Sequence, residues 1–186
     1  GDYRTIDPAT TGSFDIIAAG SPVYYYVVPE NFRRWLGSLP HIDGKPVASF
    51  VTFGGEGGNQ HNTAFQILDI LSDRGGAPAG MATFGNMSTF APTWSTGNTE
   101  RILRYRHLPD EHTFRAVRAY AAGVLRQAES GRGIQASSSF SFRNWISGGV
   151  SIALTRLLIT GHRIEPGECV GCGTCTRSCP VSAINH

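Results

Sequence analysis

Lysine is nearly absent from this chain of 186 residues: Lys45 is the only one, and the remaining positive charge is arginine. The net charge of +2 is too small to argue for a nucleic-acid or membrane-surface partner. No apolar run is long enough to span a bilayer, and nothing after Gly1 reads as a secretory signal. Neither an HExxH pair nor a Ser/His/Asp constellation is present, which leaves metalloprotease and triad-hydrolase chemistry without its residues. Internal repeats are missing as well. Cysteine is scarce, and its four copies fall within eleven consecutive positions near the end of the chain. A disulfide framework would spread its cysteines and go with secretion. A structural zinc site would separate two ligand pairs by a dozen or more residues. Clustered cysteines without a secretion signal fit a reducing cytoplasm.

What is present suffices for a core. Hydrophobic residues make up 40% of the chain and include three Trp and ten Phe, while 23 Gly point to many tight turns. The length fits one ordinary domain with a small appendage.

Strand-like and helix-like stretches alternate. Tyr3 to Ile6 is a short candidate strand. Phe14 to Gly20 is a mostly apolar run ended by glycine, as in a buried parallel strand, and Ser21-Pro22-Val23-Tyr24-Tyr25-Tyr26 follows as a loop. Pro29 opens a helix through Leu36, with Phe32, Trp35, Leu36 and Leu39 at helical spacing. Pro46 to Phe53 reads as the next strand and Gly54-Gly55-Glu56-Gly57-Gly58 as a glycine loop. Asn62 or Thr63 can cap a helix that stops at Gly75-Gly76, and Ala77 to Phe84 is a further strand. Pro109-Asp110-Glu111 starts a helix with Phe114, Val117, Tyr120, Ala121, Val124 and Leu125 on one face. A Ser-rich stretch from Gly131 to Phe142 then leads to an apolar helix from about Asn144 to Leu158. Arg143, Arg156 and two glycines make that helix a packed element rather than a membrane span.

This alternation predicts an α/β fold, a doubly wound parallel sheet over residues 1–130. Residues 131–160 are expected to form a linker and packing helix, and 161–186 a separate cysteine segment. In a doubly wound sheet, ligands bind beyond the carboxyl ends of the strands. Ser21 to Tyr26 and Thr52 to Asn62 fall at such ends.

The cysteines are spaced Cys169-x2-Cys172-x2-Cys175-x3-Cys179-Pro180. This is the bacterial ferredoxin run that wraps a cubane [4Fe–4S] cluster. Thiolates so close in sequence reach one small cluster only if the backbone curls around it, and Gly171 and Gly173 suit that curl. In two-cluster ferredoxins the fourth Cys of such a run serves the other cluster. Cys179 therefore either closes the same cluster or serves a second one. The second case predicts another run of the same spacing beyond His186.

At the two predicted loops the chain resembles the flavodoxin-like fold. More closely, it is similar to proteins in which a flavodoxin-like domain is followed by a bacterial two-cluster ferredoxin. Ser21-Pro22-Val23-Tyr24 is similar to the flavodoxin loop that carries an aromatic onto the flavin ring. Thr52-Phe53-Gly54-Gly55-Glu56-Gly57-Gly58 is similar to the second ring-clamping loop. The resemblance implies FMN, with Ser21, Pro22, Tyr24, Tyr25, Phe53, Gly54, Gly55, Gly58 and Asn59 as its contacts. It also implies electron exchange between FMN, clusters and redox partner proteins. Flavodoxins hold the FMN phosphate on a loop after their first strand, and this chain begins where their second strand would be. A preceding strand–helix unit of about thirty residues is therefore expected. Thr96-Gly97-Asn98-Thr99 reads like that phosphate loop, but no strand leads directly into it, and four such residues have little specificity.

Three functions remain open at this point. One is electron transfer between a flavin and cluster(s). Another is a flavin-dependent reductase whose small substrate enters near Tyr24 and His61. The third is a docking or relay subunit that keeps only the cluster.

Overall fold

The computed structural model describes residues 1–24, 27–54, 58, 60–88, 97, 99–138, 157, 164–178 and 184. Tyr25, Gly55, Asn59 and Cys179 lie outside these residues, as do Thr96, Asn98 and the expected apolar helix apart from Leu157.

The first fifteen residues differ from expectation. Tyr3–Thr5 is a 3-10 turn, not a strand, and a second one spans Pro8–Ser13. Each begins at an aspartate whose carboxylate accepts a backbone N–H two residues on, Arg4 for Asp2 and Ala9 for Asp7. Such local side-chain bonds offer the backbone an alternative to a sheet ladder. Tyr3 instead packs its ring 4.9 Å from Phe32 and 5.8 Å from Trp35. The indole of Trp35 donates to the Ile6 carbonyl at 3.2 Å. The single lysine completes the attachment, because Lys45 Nζ donates to the carbonyls of Gly12 and Phe14.

The sheet is built from β1 (Ile17–Pro22), β2 (Pro46–Gly54) and β3 (Ala77–Asn86), all parallel and in the order β1-β2-β3. Helix α1 (Glu30–Gly37) joins β1 to β2, and α2 (Gln60–Asp73) joins β2 to β3. Asn62 and Thr63 are inside α2 and buried, so they do not cap it; the helix starts earlier and turns both inward. A short helix α3 (Thr99–Leu103) precedes α4 (Glu111–Ser130), which Asp110 caps by accepting from Thr113 N at 2.8 Å.

Successive residues of a strand face opposite sides. Val47 and Val51 join Leu36, Leu39, Ile42, Ile67, Leu68 and Leu71 on the α1/α2 side, whereas Ala48 joins Ala79 and Val124 on the α4 side. The first cluster holds thirteen buried residues and the second three, among the described residues. At roughly 1.5–3 kcal/mol for each large side chain buried, the α1/α2 side dominates the stability of the body. Helix α4 presses Tyr120 and Val124 toward the sheet, closing on Gly80, while Phe114, Val117 and Leu125 stay exposed. The apolar face expected on this helix is thus mostly open to solvent. Beyond α4, Ile134 N donates to the Pro78 carbonyl at 2.8 Å, and Ile134 and Ala136 pack onto the larger cluster. The start of the expected linker is therefore part of the body.

Candidate functional site

The carboxyl edge of the sheet brings the ends of β1, β2 and β3 together. Pro22 pairs with Thr52, Val23 N donates to the Thr52 carbonyl at 2.9 Å, and Gly54 pairs with Asn86. Ser21 and Pro22 thereby end beside Val51 and Thr52, one step before Phe53 and Gly54 in β2. Tyr24 is 46% exposed and bridges Val27 as an antiparallel pair. Phe53 is half-buried and Gly58 is exposed.

Two details at this edge differ from the sequence reading. Ser21 and Pro22 are the last residues of β1 rather than a loop, and the buried Ser21 hydroxyl donates to its neighbour's carbonyl at 2.8 Å. Gly54 is the last residue of β2, and a Cβ there would come within 2.4 Å of Ser88 Cα. Its missing side chain makes room for the chain after β3. The sequence reading missed Asn86 and Ser88 as members of this edge. Their signal was Gly85-Asn86 closing a strand parallel to the other two.

An open depression lies at α3, lined by Thr99, Glu100, Leu103, Arg104, Arg106 and His107. It coincides with part of the phosphate-loop lookalike. Glu100 faces it as well as the cations, and α3 is only five residues long.

The cysteine segment has another character. Between residues 164 and 178 the only buried position is Gly173. Cys169, Cys172 and Cys175 are free and exposed. Among the described residues, no three His, Cys, Asp or Glu side chains gather closely enough to hold a metal ion. The backbone nevertheless has the predicted curl: Gly171 and Gly173 have φ of 66° and 65°, a left-handed region that side chains with a Cβ rarely enter. Two left-handed glycines thus flank Cys172, one on each side. Helix α5 (Thr174–Ser178) follows, with Arg177 N donating to the Gly173 carbonyl at 3.1 Å.

Cys172 is also set apart electrostatically. Its Sγ is 3.3 Å from Thr174 Oγ1. As a thiolate the sulfur can accept from that hydroxyl, and also from the Thr174 N–H, so the thiol is held below its ordinary range. The thiolate, which a lowered thiol reaches more readily, is the form that iron binds. A soft thiolate donor set on a curled, exposed loop fits a cubane cluster. Thr174 and Arg177 are site neighbours that the sequence reading passed over; a hydroxyl two residues after a cysteine was their only signal.

Comparison with known families agrees with this reading at the C-terminal end, where residues 162–185 match the 4Fe-4S binding domain. Comparison with curated proteins gives no match. Among the described residues, no helix is long and apolar enough to cross a membrane.

Proposed function

We propose that the protein is an electron carrier of the cytoplasm. In this reading Cys169, Cys172 and Cys175 hold a [4Fe–4S] cluster, FMN binds at the carboxyl edge of a flavodoxin-like sheet, and electrons pass to a redox partner protein. The observation that carries the proposal is the coincidence of the 4Fe-4S domain match at residues 162–185 with left-handed glycines on both sides of Cys172. When bound, such a cluster supplies a one-electron couple whose potential follows charge, solvent exposure and hydrogen bonds to its sulfurs. The chain's part is to offer deprotonated sulfurs and to aim backbone N–H groups inward through the turns at Gly171 and Gly173. Cys179 is the fourth ligand of this cluster or a ligand of a second one.

The flavin part draws its support from the shared edge: an exposed Tyr24 ring, a half-buried Phe53 and the ends of parallel strands, the usual ligand position in such sheets. A second reading, a relay that keeps only the cluster, is favoured by a different observation. Ser21 and Gly54, two proposed flavin contacts, already have structural partners in Pro22 and Ser88.

Two measurements decide between these readings. Anaerobic reconstitution with iron and sulfide is expected to give a brown protein with about four irons per cluster and an electron paramagnetic resonance signal on reduction. A colourless, iron-free product rejects the carrier function. Titration with FMN of the protein carrying the expected preceding strand–helix unit should give saturable quenching of flavin fluorescence, and linear, unsaturable behaviour leaves the relay reading.

A further inference from the structure

Thr174 Oγ1 stands between two groups. On one side is Cys172 Sγ at 3.3 Å, and on the other is Arg177 Nη2 at 3.5 Å. A hydroxyl has one proton to give and two lone pairs that accept, whereas a guanidinium only donates. Arg177 therefore fills a lone pair of Thr174 Oγ1 and cannot take its proton. A metal-bound cysteine is a thiolate, which only accepts. The proton of Thr174 is then directed at the Cys172 sulfur, and donation from a cation polarises the hydroxyl into a stronger donor. Both side chains belong to α5, where residues three apart are neighbours, so the helix itself fixes their order.

We infer that Thr174 and Arg177 form a hydrogen-bond relay onto the Cys172 sulfur that raises the reduction potential of the cluster held there. The inference rests on the reading above that Cys172 is a cluster ligand. Reduction adds one electron, supplied here by dithionite through mediators. No bond breaks, and the hydroxyl proton stays on oxygen. The added negative charge spreads onto the sulfurs, so a donor to sulfur stabilises the reduced state more than the oxidised one. Thr174 and Arg177 are thus positioning residues, and their effect is read as a potential.

The test is a redox titration of the reconstituted protein followed by electron paramagnetic resonance, with iron content measured alongside. Thr174→Val, nearly the same shape without the hydroxyl, is expected to keep its iron. Its reduction equilibrium should fall by about tenfold, ~59 mV for a one-electron couple. Thr174→Ser should retain the original potential. Arg177→Gln should lower it by less, and should add nothing once Thr174 is valine. Should Thr174→Val fail to load iron, Thr174→Ala takes its place, and iron loss in both variants overturns the relay by making Thr174 an assembly residue. An unchanged potential in an iron-loaded Thr174→Val protein overturns it as well. A fully additive shift from Arg177→Gln shows a direct charge effect and removes Arg177 from the relay. Failure of the unaltered protein to load iron rejects the proposed function instead.

Discussion

Leu36, Val47, Val51 and Leu71 are wholly buried in the α/β body, while Gly173 is the only buried residue between positions 164 and 178. The two regions take their order from different sources. The body removes aliphatic surface from water on both sides of a parallel sheet, and a strand glycine such as Gly20 is shaped by its neighbour Phe50. The cysteine segment leaves Ile164 and Val170 in water, and its Gly171 and Gly173 are shaped by backbone reversals. A region of the second kind gains its folding free energy from its ligand, because the binding site does not exist in the unfolded chain. The comparison implies that each region can be damaged without the other.

The largest expected effect tests that independence from the cluster side. Cys172→Ser should abolish the brown chromophore and the iron of the reconstituted protein, since Cys172 lies at the centre of the curl. The thermal unfolding midpoint of the body should not move. An unchanged iron-to-protein ratio would remove Cys172 from the ligand set, and a lowered midpoint would show that the two regions are coupled.

Next comes damage from the body side. Leu71 is fully buried in the larger cluster, and Leu71→Ala should cost about 2–5 kcal/mol, through lost transfer free energy and the cavity left behind. Iron loading per folded chain should stay as in the parent protein. Urea unfolding measures the first and iron analysis the second. A loss below 1 kcal/mol would mean that the site collapses around the smaller side chain.

The same division explains what the sequence made legible. The three parallel strands and the helices α1, α2 and α4 were readable because apolar periodicity and Pro, Asp and Gly punctuation agree with one another there. Tyr3 misled, because an aromatic beside Thr5 and Ile6 looks strand-like in isolation, whereas Asp2 and Asp7 each seize a nearby N–H and close a turn. Asn62 and Thr63 misled for a similar reason: they have the side chains of caps, yet the pattern could not show that they face the sheet. On α4, counting apolar positions gave one face but could not show which of its residues meet the sheet, and Phe114 and Leu125 stay exposed. In the cysteine segment, ligand spacing made the chemistry legible with hardly any packing to support it. Thr174 escaped notice because a hydroxyl beside a sulfur leaves no periodic trace.

Glycines sharpen the contrast at intermediate size. The Phe50 ring lies across Gly20, so a Cβ there would sit 2.2 Å from ring carbons. Gly20→Ala should therefore cost about 1–3 kcal/mol by overpacking, although its backbone is ordinary extended strand. Gly171→Ala has open space around its Cβ but a φ of 66°. It should leave the body's stability unaltered and weaken iron loading. Equal effects of both substitutions on urea unfolding would erase the distinction between a packed glycine and a turning one.

The smallest effect concerns the thinner side of the sheet. Tyr120 on α4 donates its hydroxyl to the Ser49 carbonyl at 2.7 Å, and its ring meets Phe84 edge-on at 5.8 Å. Tyr120→Phe keeps the ring contact and removes the hydrogen bond. Ser49 lies in the central strand, so its carbonyl belongs to a sheet ladder as well, and a carbonyl has a second lone pair to offer. The loss at neutral pH should stay near the net value of one such bond, about 0.5–1.5 kcal/mol. The pH dependence sharpens the assignment. Burial raises the Tyr120 hydroxyl from its ordinary 10.0 to about 12. A raised acid favours its neutral form when folded, so this contribution is intact below pH 10 and is lost as pH climbs from 10 through 12. Stability of the parent protein should therefore decline across that window more steeply than that of Tyr120→Phe, with the difference between the two curves isolating this residue from the other tyrosines. Parallel curves above pH 10 would mean that the hydroxyl ionises as freely in the folded protein as in the unfolded chain, and α4 would then lie more loosely on the sheet than its contact with Ser49 implies.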